Sequence, residues 1–100
     1  MLAPTPRDRL LDNQGRPYFL WDVDMTLDEF TQRLATADPP VRAWLIEKMM
    51  RQAKPDDALQ FVSAQQIADL FPALEKHLGR TRDFWRWLLD EWGRRGIIRR

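Results

Sequence analysis

From Thr26 onward, the apolar residues of this chain repeat with helical spacing, and helix-starting signals precede them. Thr26 and Glu29 have the spacing of a capping box, in which a hydroxyl and a carboxylate satisfy the first free amides of a helix. Ser63 and Gln66 repeat this arrangement. Residues 17–21 form a strand-like run, but no second such run follows with which to build a sheet. The chain therefore predicts an all-α protein, a compact bundle of four to five short helices with an extended N-terminal arm.

Each predicted helix carries a stripe of apolar residues that we expect to face a common core. In chain order the stripes comprise Leu27, Phe30 and Leu34; Val41, Trp44, Leu45, Ile46, Met49, Met50 and Ala53; Ile67, Leu70, Phe71, Leu74 and Leu78; and Phe84, Trp85, Leu88, Leu89 and Trp92. The second stripe is wide, which is expected of a central helix with neighbours on more than one side.

Prolines, glycines and short polar residues predict where these helices begin and end. Asp38 precedes two prolines and is expected to cap the second helix, and Thr81 is expected to cap the last one. A short helical turn is predicted to begin at Pro55. Pro72 interrupts the third stripe, so we expect a kink or a restart there. Gly93 is expected to end the last helix.

Composition divides the chain into three parts. Residues 1–16 hold early prolines, scattered charge and an Asn-Gln-Gly turn signal, so we expect a flexible arm with no core of its own. Residues 17–93 form a single helical domain, in which residues 17–21 favour an extended segment. Residues 94–100 form a basic C-terminal tail. At 100 residues, the chain has the length of one domain.

Composition also excludes several functional classes. The chain has no cysteine, which excludes a disulfide scaffold and a thiol nucleophile, and His77 is its single histidine, so we predict neither a metal site nor a cofactor. No apolar run approaches the roughly 20 residues that span a bilayer. The N-terminal residues lack the apolar core of a signal peptide. We therefore expect a cytoplasmic protein that does not contact a membrane.

Charge is distributed unevenly along the chain although the net charge is +1. Residues 22–38 carry five acidic residues against one basic residue, whereas residues 75–100 carry eight basic residues against four acidic ones. We expect solvated faces that attract one another within the fold.

Asp22, Asp24 and Thr26 follow an apolar run and match the D-x-D-x-T nucleophile motif of haloacid-dehalogenase-type phosphatases. A carboxylate pair at this spacing suits magnesium-assisted phosphoryl transfer. That chemistry requires the carboxyl end of a strand in a parallel sheet, which the rest of the chain does not provide. The motif therefore remains a remote alternative, beside the simpler interpretation of Thr26 as a helix cap.

A second alternative is electrostatic nucleic-acid binding. Residues 65–68, followed by a helix with Arg80, Arg82 and Arg86, superficially resemble a helix-turn-helix unit. Pro72 stands where the turn glycine is expected, so contact with phosphates is more consistent with the sequence than base reading.

Trp87 lies off the main stripe of the last helix, between Trp85 and the Leu88–Leu89 pair. Two interpretations stay open: an exposed interface anchor with Arg86 or Arg94 as cation–π partner, or burial against the N-terminal arm. The residues predicted to bind a partner are Phe19, Trp21, Trp87, Arg86, Arg94 and Arg95.

Scattered aromatic and proline positions resemble a known group of proteins. They lie in residues 18–22 with the letters YFLWD, residues 42–46, Asp56 and Asp57, Phe71 and Pro72, and residues 85–92. Over roughly residues 17–93 the chain resembles short bacterial FLWD-type proteins of unknown function, which are often encoded next to nucleotidyltransferase-type toxins of the abortive-infection class. The resemblance implies an antitoxin or accessory role and no catalytic residues. We therefore predict a non-enzymatic helical protein-interaction module, anchored by its FLWD segment, with such a toxin as a candidate partner.

Overall fold

The computed structural model describes residues 4–99, in which the regular elements are helical. The α-helices are α1 (Arg7–Leu10), α2 (Leu27–Thr36), α3 (Pro39–Gln52), α4 (Pro55–Ala58), α5 (Ala64–Leu74) and α6 (Arg82–Arg94). Three 3-10 turns span Tyr18–Leu20, Glu75–His77 and Gly79–Thr81. Within residues 4–99 there is no strand, and an isolated bridge pairs Leu11 with Pro17. The predicted all-α class is therefore confirmed.

Both predicted capping boxes are present. The Glu29 amide donates to Thr26 Oγ1 and the Thr26 amide donates to Glu29 Oε1, each at 3.2 Å. At α5 the Gln66 amide donates to Ser63 Oγ at 3.0 Å, and Gln66 Oε1 accepts from the Ser63 amide. These local pairs satisfy amides that the first turn of a helix otherwise leaves free.

Asp38 and Thr81 occupy the predicted cap positions, but neither side chain caps its helix. The Thr81 hydroxyl instead donates to the Leu78 carbonyl at 2.7 Å, because the residues before α6 already form a 3-10 turn. At α3 the first two residues are prolines, which carry no amide hydrogen, so an Asp38 cap has less to satisfy.

The structure differs from the expected chain conformation at three places. Residues 17–21 are not extended, because Tyr18–Leu20 is a 3-10 turn that places two apolar side chains in the core. Pro72 causes no restart and lies in the last turn of α5, where it removes a single helical hydrogen bond. Gly93 is inside α6, and the left-handed residue that follows this helix is Gly96, with φ 74°.

The core is a continuous cluster to which every α-helix except the short α1 contributes buried residues. Its aromatic centre joins Phe19, Phe30 and Phe61, whose ring centroids are 5.5 to 5.9 Å apart. Edge-on aromatic pairs of this kind each contribute about 1 kcal/mol beyond the area that they bury. The buried apolar residues are Phe19, Leu20, Met25, Phe30, Leu34, Leu45, Ile46, Met49, Met50, Ala58, Val62, Ile67, Phe71, Leu74, Leu78, Trp85, Leu89 and Ile98.

The described part of the N-terminal segment is attached to the helical domain. Thr5 donates from its amide and its hydroxyl to the two carboxylate oxygens of Asp57, both at 2.6 Å. Tyr18 also donates to this carboxylate, and Leu10 packs against the core. The Asp57 side chain is buried. Its carboxylate therefore connects the N-terminal segment at Thr5, the 3-10 turn at Tyr18 and its own helix α4.

The C-terminal residues beyond α6 also contact the fold. Ile98 is buried, and the Gln65 side chain exchanges two hydrogen bonds with the backbone of Arg99, at 2.8 and 3.1 Å. The predicted basic tail is therefore held against α5 up to Arg99, while Arg100 lies outside the described residues.

Three side chains from the predicted inward stripes are exposed: Val41, Trp44 and Phe84. The stripes of α3 and α6 are wider than the surface that their neighbours cover. The apolar residues at the edges of these stripes therefore face solvent. In residues 4–99, no helix has both the length and the apolar character needed to cross a membrane.

Candidate functional site

An apolar groove of about 850 Å³ lies beside α6. One wall is α6, the opposite wall is α4 with the start of α5, and the segment after α6 closes one end. We call it the α6 groove; it is lined by Lys54, Pro55, Asp56, Leu59, Ala64, Phe84, Leu88, Trp92 and Ile97.

The α6 wall is built by the helical repeat. Phe84, Leu88 and Trp92 are four residues apart and lie along one edge of the helix. Trp85 and Leu89 lie on the neighbouring edge and are buried. The helix therefore has two adjacent apolar faces, of which the core covers one and the groove exposes the other.

A Schellman turn closes α6 and positions Ile97. The Ile97 amide donates to the Trp92 carbonyl at 2.9 Å, and the Gly96 amide donates to the Gly93 carbonyl at 3.2 Å. Such turns bring the residue after the glycine beside the last helical turn, and here both Ile97 and Trp92 line the groove. Ile97 remains 59% exposed.

Trp87 extends the apolar surface beyond the groove. Its ring is tilted against Phe84, with centroids 6.2 Å apart, and 56% of the residue is exposed. Of the two interpretations left open by the sequence, the structure shows the exposed one. The groove and Trp87 together present a continuous aromatic surface along α6.

The three arginines predicted to bind a partner are engaged with carboxylates. Arg86 pairs with Glu75 at 2.9 Å, while Arg94 and Arg95 both pair with Glu91. The hydrogen bond that Arg86 donates to Glu75 raises the pKa of Arg86, and the hydrogen bond that Arg94 donates to Glu91 lowers the pKa of Glu91. These contacts replace the cation–π pairs with Trp87 that the sequence suggested. All three side chains remain partly exposed to solvent.

The ion pairs of these arginines do not join the acidic segment, residues 22–38, to the basic segment, residues 75–100, as the sequence analysis expected. Those of Arg86, Arg94 and Arg95 lie within residues 75–100, whereas Asp22 and Asp24 contact Lys48 and Arg16.

Trp21, Trp44 and Val41 are further large apolar residues that are exposed at the surface. Trp21 is 75% exposed, and Trp44 lies over the buried Lys48, whose Nζ is 5.2 Å from the ring centroid. The same Nζ donates to Asp22 Oδ2 at 2.6 Å, and this bond is the main cause of the lowered pKa of Asp22. The Lys48 ammonium thus contacts both the ring of Trp44 and the carboxylate of the residue that follows Trp21.

Phe19 is wrongly predicted as a partner-binding residue. It is fully buried among aromatic rings, so the FLWD segment serves two purposes: Phe19 and Leu20 enter the core, and Trp21 points away from it. A run of apolar letters does not reveal this division. The division follows from the 3-10 turn, which directs successive side chains to different sides.

The phosphatase-type motif has a structural explanation. Asp22 is held by Lys48, the Asp24 side chain is 92% exposed and 3.5 Å from Arg16, and Thr26 caps α2. The parallel sheet that this chemistry requires is not formed by residues 4–99. In the same range, no three His, Asp or Glu side chains lie close enough to hold a metal ion.

Sequence reasoning missed the groove because it assigned Phe84 to the core, whereas Leu88 and Trp92 do pack against the core but are only partly buried. One available signal was the width of the apolar stripe of α6, which covers two adjacent faces of the helix. The last helix of a chain has few neighbours, so a stripe of this width is expected to leave part of its apolar surface uncovered. Comparison of the chain with protein-family models, curated proteins and solved structures finds no match.

Proposed function

We propose that this chain is a non-enzymatic, all-helical protein-interaction module that binds an apolar segment of a protein partner in the α6 groove. The observation that carries the proposal is the groove surface, where Phe84, Trp87 and Ile97 are exposed beside the partly buried Leu88 and Trp92. Contiguous apolar surface on a folded chain marks interaction sites, and aromatic side chains are their strongest anchors.

The groove dimensions indicate what kind of segment fits. Phe84 and Trp92 are eight residues apart, which corresponds to about 12 Å of helix. Two or three large apolar side chains occupy such a length, whether presented by one face of a short amphipathic helix or by an extended segment. Lys54 and Asp56 are the charged residues of the groove lining.

The arginine pairing supports protein docking over phosphate binding. Arg86, Arg94 and Arg95 each have a carboxylate partner, so part of their charge is already balanced. Arginines that are already paired with carboxylates offer less net charge to phosphate groups than unpaired arginines do. Electrostatic nucleic-acid binding stays a prediction without a specific contact to support it.

The partner to test first is the nucleotidyltransferase-type toxin that the FLWD resemblance implies, in a bacterial cytoplasm. Co-expression and purification of the two chains is expected to yield a complex. Phe84→Ala is expected to weaken it by about 30-fold or more, because a truncated aromatic anchor typically costs at least about 2 kcal/mol.

Asp83→Ala is the matched control, since Asp83 precedes Phe84 on α6 and its side chain is 81% exposed. Titration calorimetry with each purified variant measures the dissociation constants. A complex that Phe84→Ala and Asp83→Ala weaken equally, or not at all, argues against the groove as the binding surface.

A further inference from the structure

Residues 4–11 form a short N-terminal segment, which we call the strap, that lies against the helical domain with little burial. Residues 6–9 are exposed, and α1 buries none of its four residues. Thr5, Leu10 and Leu11 are partly buried, and Leu10 packs against the core. A single helical turn is not stable alone, so α1 depends on the contacts that hold the strap in place.

The strap is attached to the domain at Asp57. The amide and the hydroxyl of Thr5 donate to the two carboxylate oxygens of Asp57, each at 2.6 Å. Asp57 is 2% exposed, so water competes little for these bonds. Hydrogen bonds to a charged acceptor are stronger than those between neutral groups, and Thr5 is therefore a strong attachment point of the strap.

The residue that holds the strap also belongs to one wall of the α6 groove. That wall includes α4, which is four residues long and has no side-chain cap. Pro55 and Asp56 line the groove, whereas Asp57 contacts the strap. A helix of this length does not hold its own position, so contacts from other parts of the chain position this wall.

Tyr18 supplies a second contact that positions α4. Its hydroxyl accepts from the Lys54 amide at 2.8 Å and donates to Asp57 at 2.6 Å. Lys54 is the residue before α4 and also lines the groove. Opening of the strap leaves the Tyr18 contact in place, so α4 is loosened while it stays attached to the domain.

We propose that the strap positions the α4 wall of the α6 groove through Thr5 and Asp57, and that it opens while the helical core stays folded. Segments with little buried apolar surface open at a lower free energy than the core does. In the closed state the wall is fixed, and the groove is preorganised for an occupant. In the open state Asp57 loses both donors of Thr5, and the groove binds more weakly. This inference rests on the proposed function, because it describes the control of the same groove.

Hydrogen exchange of the full chain, followed by NMR, tests whether the strap opens separately. The amides of Leu10 and Leu11 donate to the carbonyls of Pro6 and Arg7 and report the strap, whereas amides in the middle of α3 report the core. In the wild type, the strap amides are expected to exchange about 10-fold or more faster than the α3 amides, yet more slowly than in an unfolded chain. Equal rates for the two groups, or strap amides without protection, overturn the proposal.

Thr5→Val tests the attachment point, because it removes the hydroxyl donor and nearly keeps the shape of the side chain. It is expected to speed exchange of the strap amides by about 10-fold or more, since a hydrogen bond to a charged group is lost, and to leave the α3 amides unchanged. Thr5→Ser keeps the hydroxyl and is expected to keep the protection. Equal acceleration by both substitutions, or equal acceleration of the α3 amides, overturns the role of Thr5.

Thr31→Val is the matched control for this substitution. Thr31 is an exposed threonine of α2, and its hydroxyl donates to the Asp28 carbonyl at 3.0 Å. The same change of side chain is therefore made away from the strap. Exchange of the strap amides is expected to stay at the wild-type rate, and faster exchange in this variant would contradict an effect specific to Thr5.

The link between the strap and the groove is tested first in the free chain. Leu59 follows α4 and lines the groove, and its methyl signals are expected to shift in Thr5→Val but to stay in place in Thr5→Ser and Thr31→Val. Titration calorimetry with the proposed toxin partner is then expected to show an affinity that is about 3-fold or more weaker for Thr5→Val, because the groove is less preorganised. Faster strap exchange with unchanged Leu59 signals and unchanged affinity overturns the link.

The outcomes separate this inference from the proposed function. Partner binding that depends on Phe84 but not on Thr5 overturns the control by the strap alone. Partner binding that does not depend on Phe84 overturns the groove as the binding surface, and with it the control of binding. If the toxin does not bind, the choice of partner is wrong, whereas the exchange rates and the Leu59 signals of the free chain still decide whether the strap opens and positions the wall.

Discussion

Replacement of Trp85 by alanine is expected to lower the free energy of unfolding by about 4 kcal/mol, whereas the same replacement at Trp87 changes it by less than about 0.5 kcal/mol. Trp85 is 1% exposed, and its indole N–H donates to the Met50 carbonyl at 2.9 Å. Its removal leaves a large cavity between α3 and α6 and an unsatisfied carbonyl. Trp87, two residues along the same helix, leaves a partly solvated surface position.

Urea denaturation followed by circular dichroism measures both changes. Trp85→Phe provides a graded variant if the alanine chain does not fold, since it keeps most of the ring and loses the hydrogen bond; we expect a cost of about 2 kcal/mol. Equal destabilisation at Trp85 and Trp87 would show that the second indole also belongs to the core. The groove surface would then be smaller than described.

Asp57→Asn is expected to lower the free energy of unfolding by about 3 kcal/mol. The buried carboxylate accepts from the Thr5 amide, the Thr5 hydroxyl and the Tyr18 hydroxyl, each at 2.6 Å. An asparagine amide group donates where one carboxylate oxygen accepted, so at least one buried donor loses its partner. Asp8→Asn in the same N-terminal segment is the matched control, with an expected change below about 0.5 kcal/mol.

The pH dependence of the stability difference between wild type and Asp57→Asn shows whether the charged carboxylate of Asp57 is its source. Burial alone raises the pKa of Asp57, but the hydrogen bonds from Thr5 and Tyr18 outweigh it and hold the pKa below its usual 3.8. A carboxyl with a lowered folded-state pKa stabilises the fold above pH 3.8, and this stabilisation is lost as the pH falls through the folded-state value. The gap between wild type and Asp57→Asn is therefore expected to narrow below about pH 4.

The hydrogen bond between Tyr18 and Asp57 also predicts a loss of stability at alkaline pH. Burial and the hydrogen bond to Asp57 raise the pKa of Tyr18 from 10.0 to about 12. The neutral phenol is thus favoured in the folded state, and its contribution is lost as the pH rises from 10 to 12. A gap between wild type and Asp57→Asn that is constant from acid to alkaline pH would contradict this account of the network.

Local features of this fold were predictable from the sequence, because they depend on neighbours along the chain. The capping boxes at Thr26 and Ser63 need only residues three positions apart, and both form as predicted. The spacing of the apolar residues indicated the helices for the same reason. The all-α class follows from this local information.

Features that depend on distant contacts were not predictable. The Asp57 network joins residues that are 52 and 39 positions apart, so no local pattern marks it. The groove arises because α4 and α5 leave one apolar face of α6 partly uncovered. The spacing of apolar residues along the sequence does not show which part of the α6 stripe its neighbours cover. Phe84 and Trp85 are adjacent in sequence and have opposite environments for this reason.

The central claim, that the α6 groove docks a protein, is tested most directly by the indole N–H signals of the isotope-labelled chain. Titration with the proposed partner, the nucleotidyltransferase-type toxin, is expected to shift the signals of Trp87 and Trp92 most strongly, while the signals of the buried Trp85 and of Trp21 change least. Trp→Phe variants assign each signal. A complex that forms while the Trp87 and Trp92 signals stay unchanged would contradict the claim.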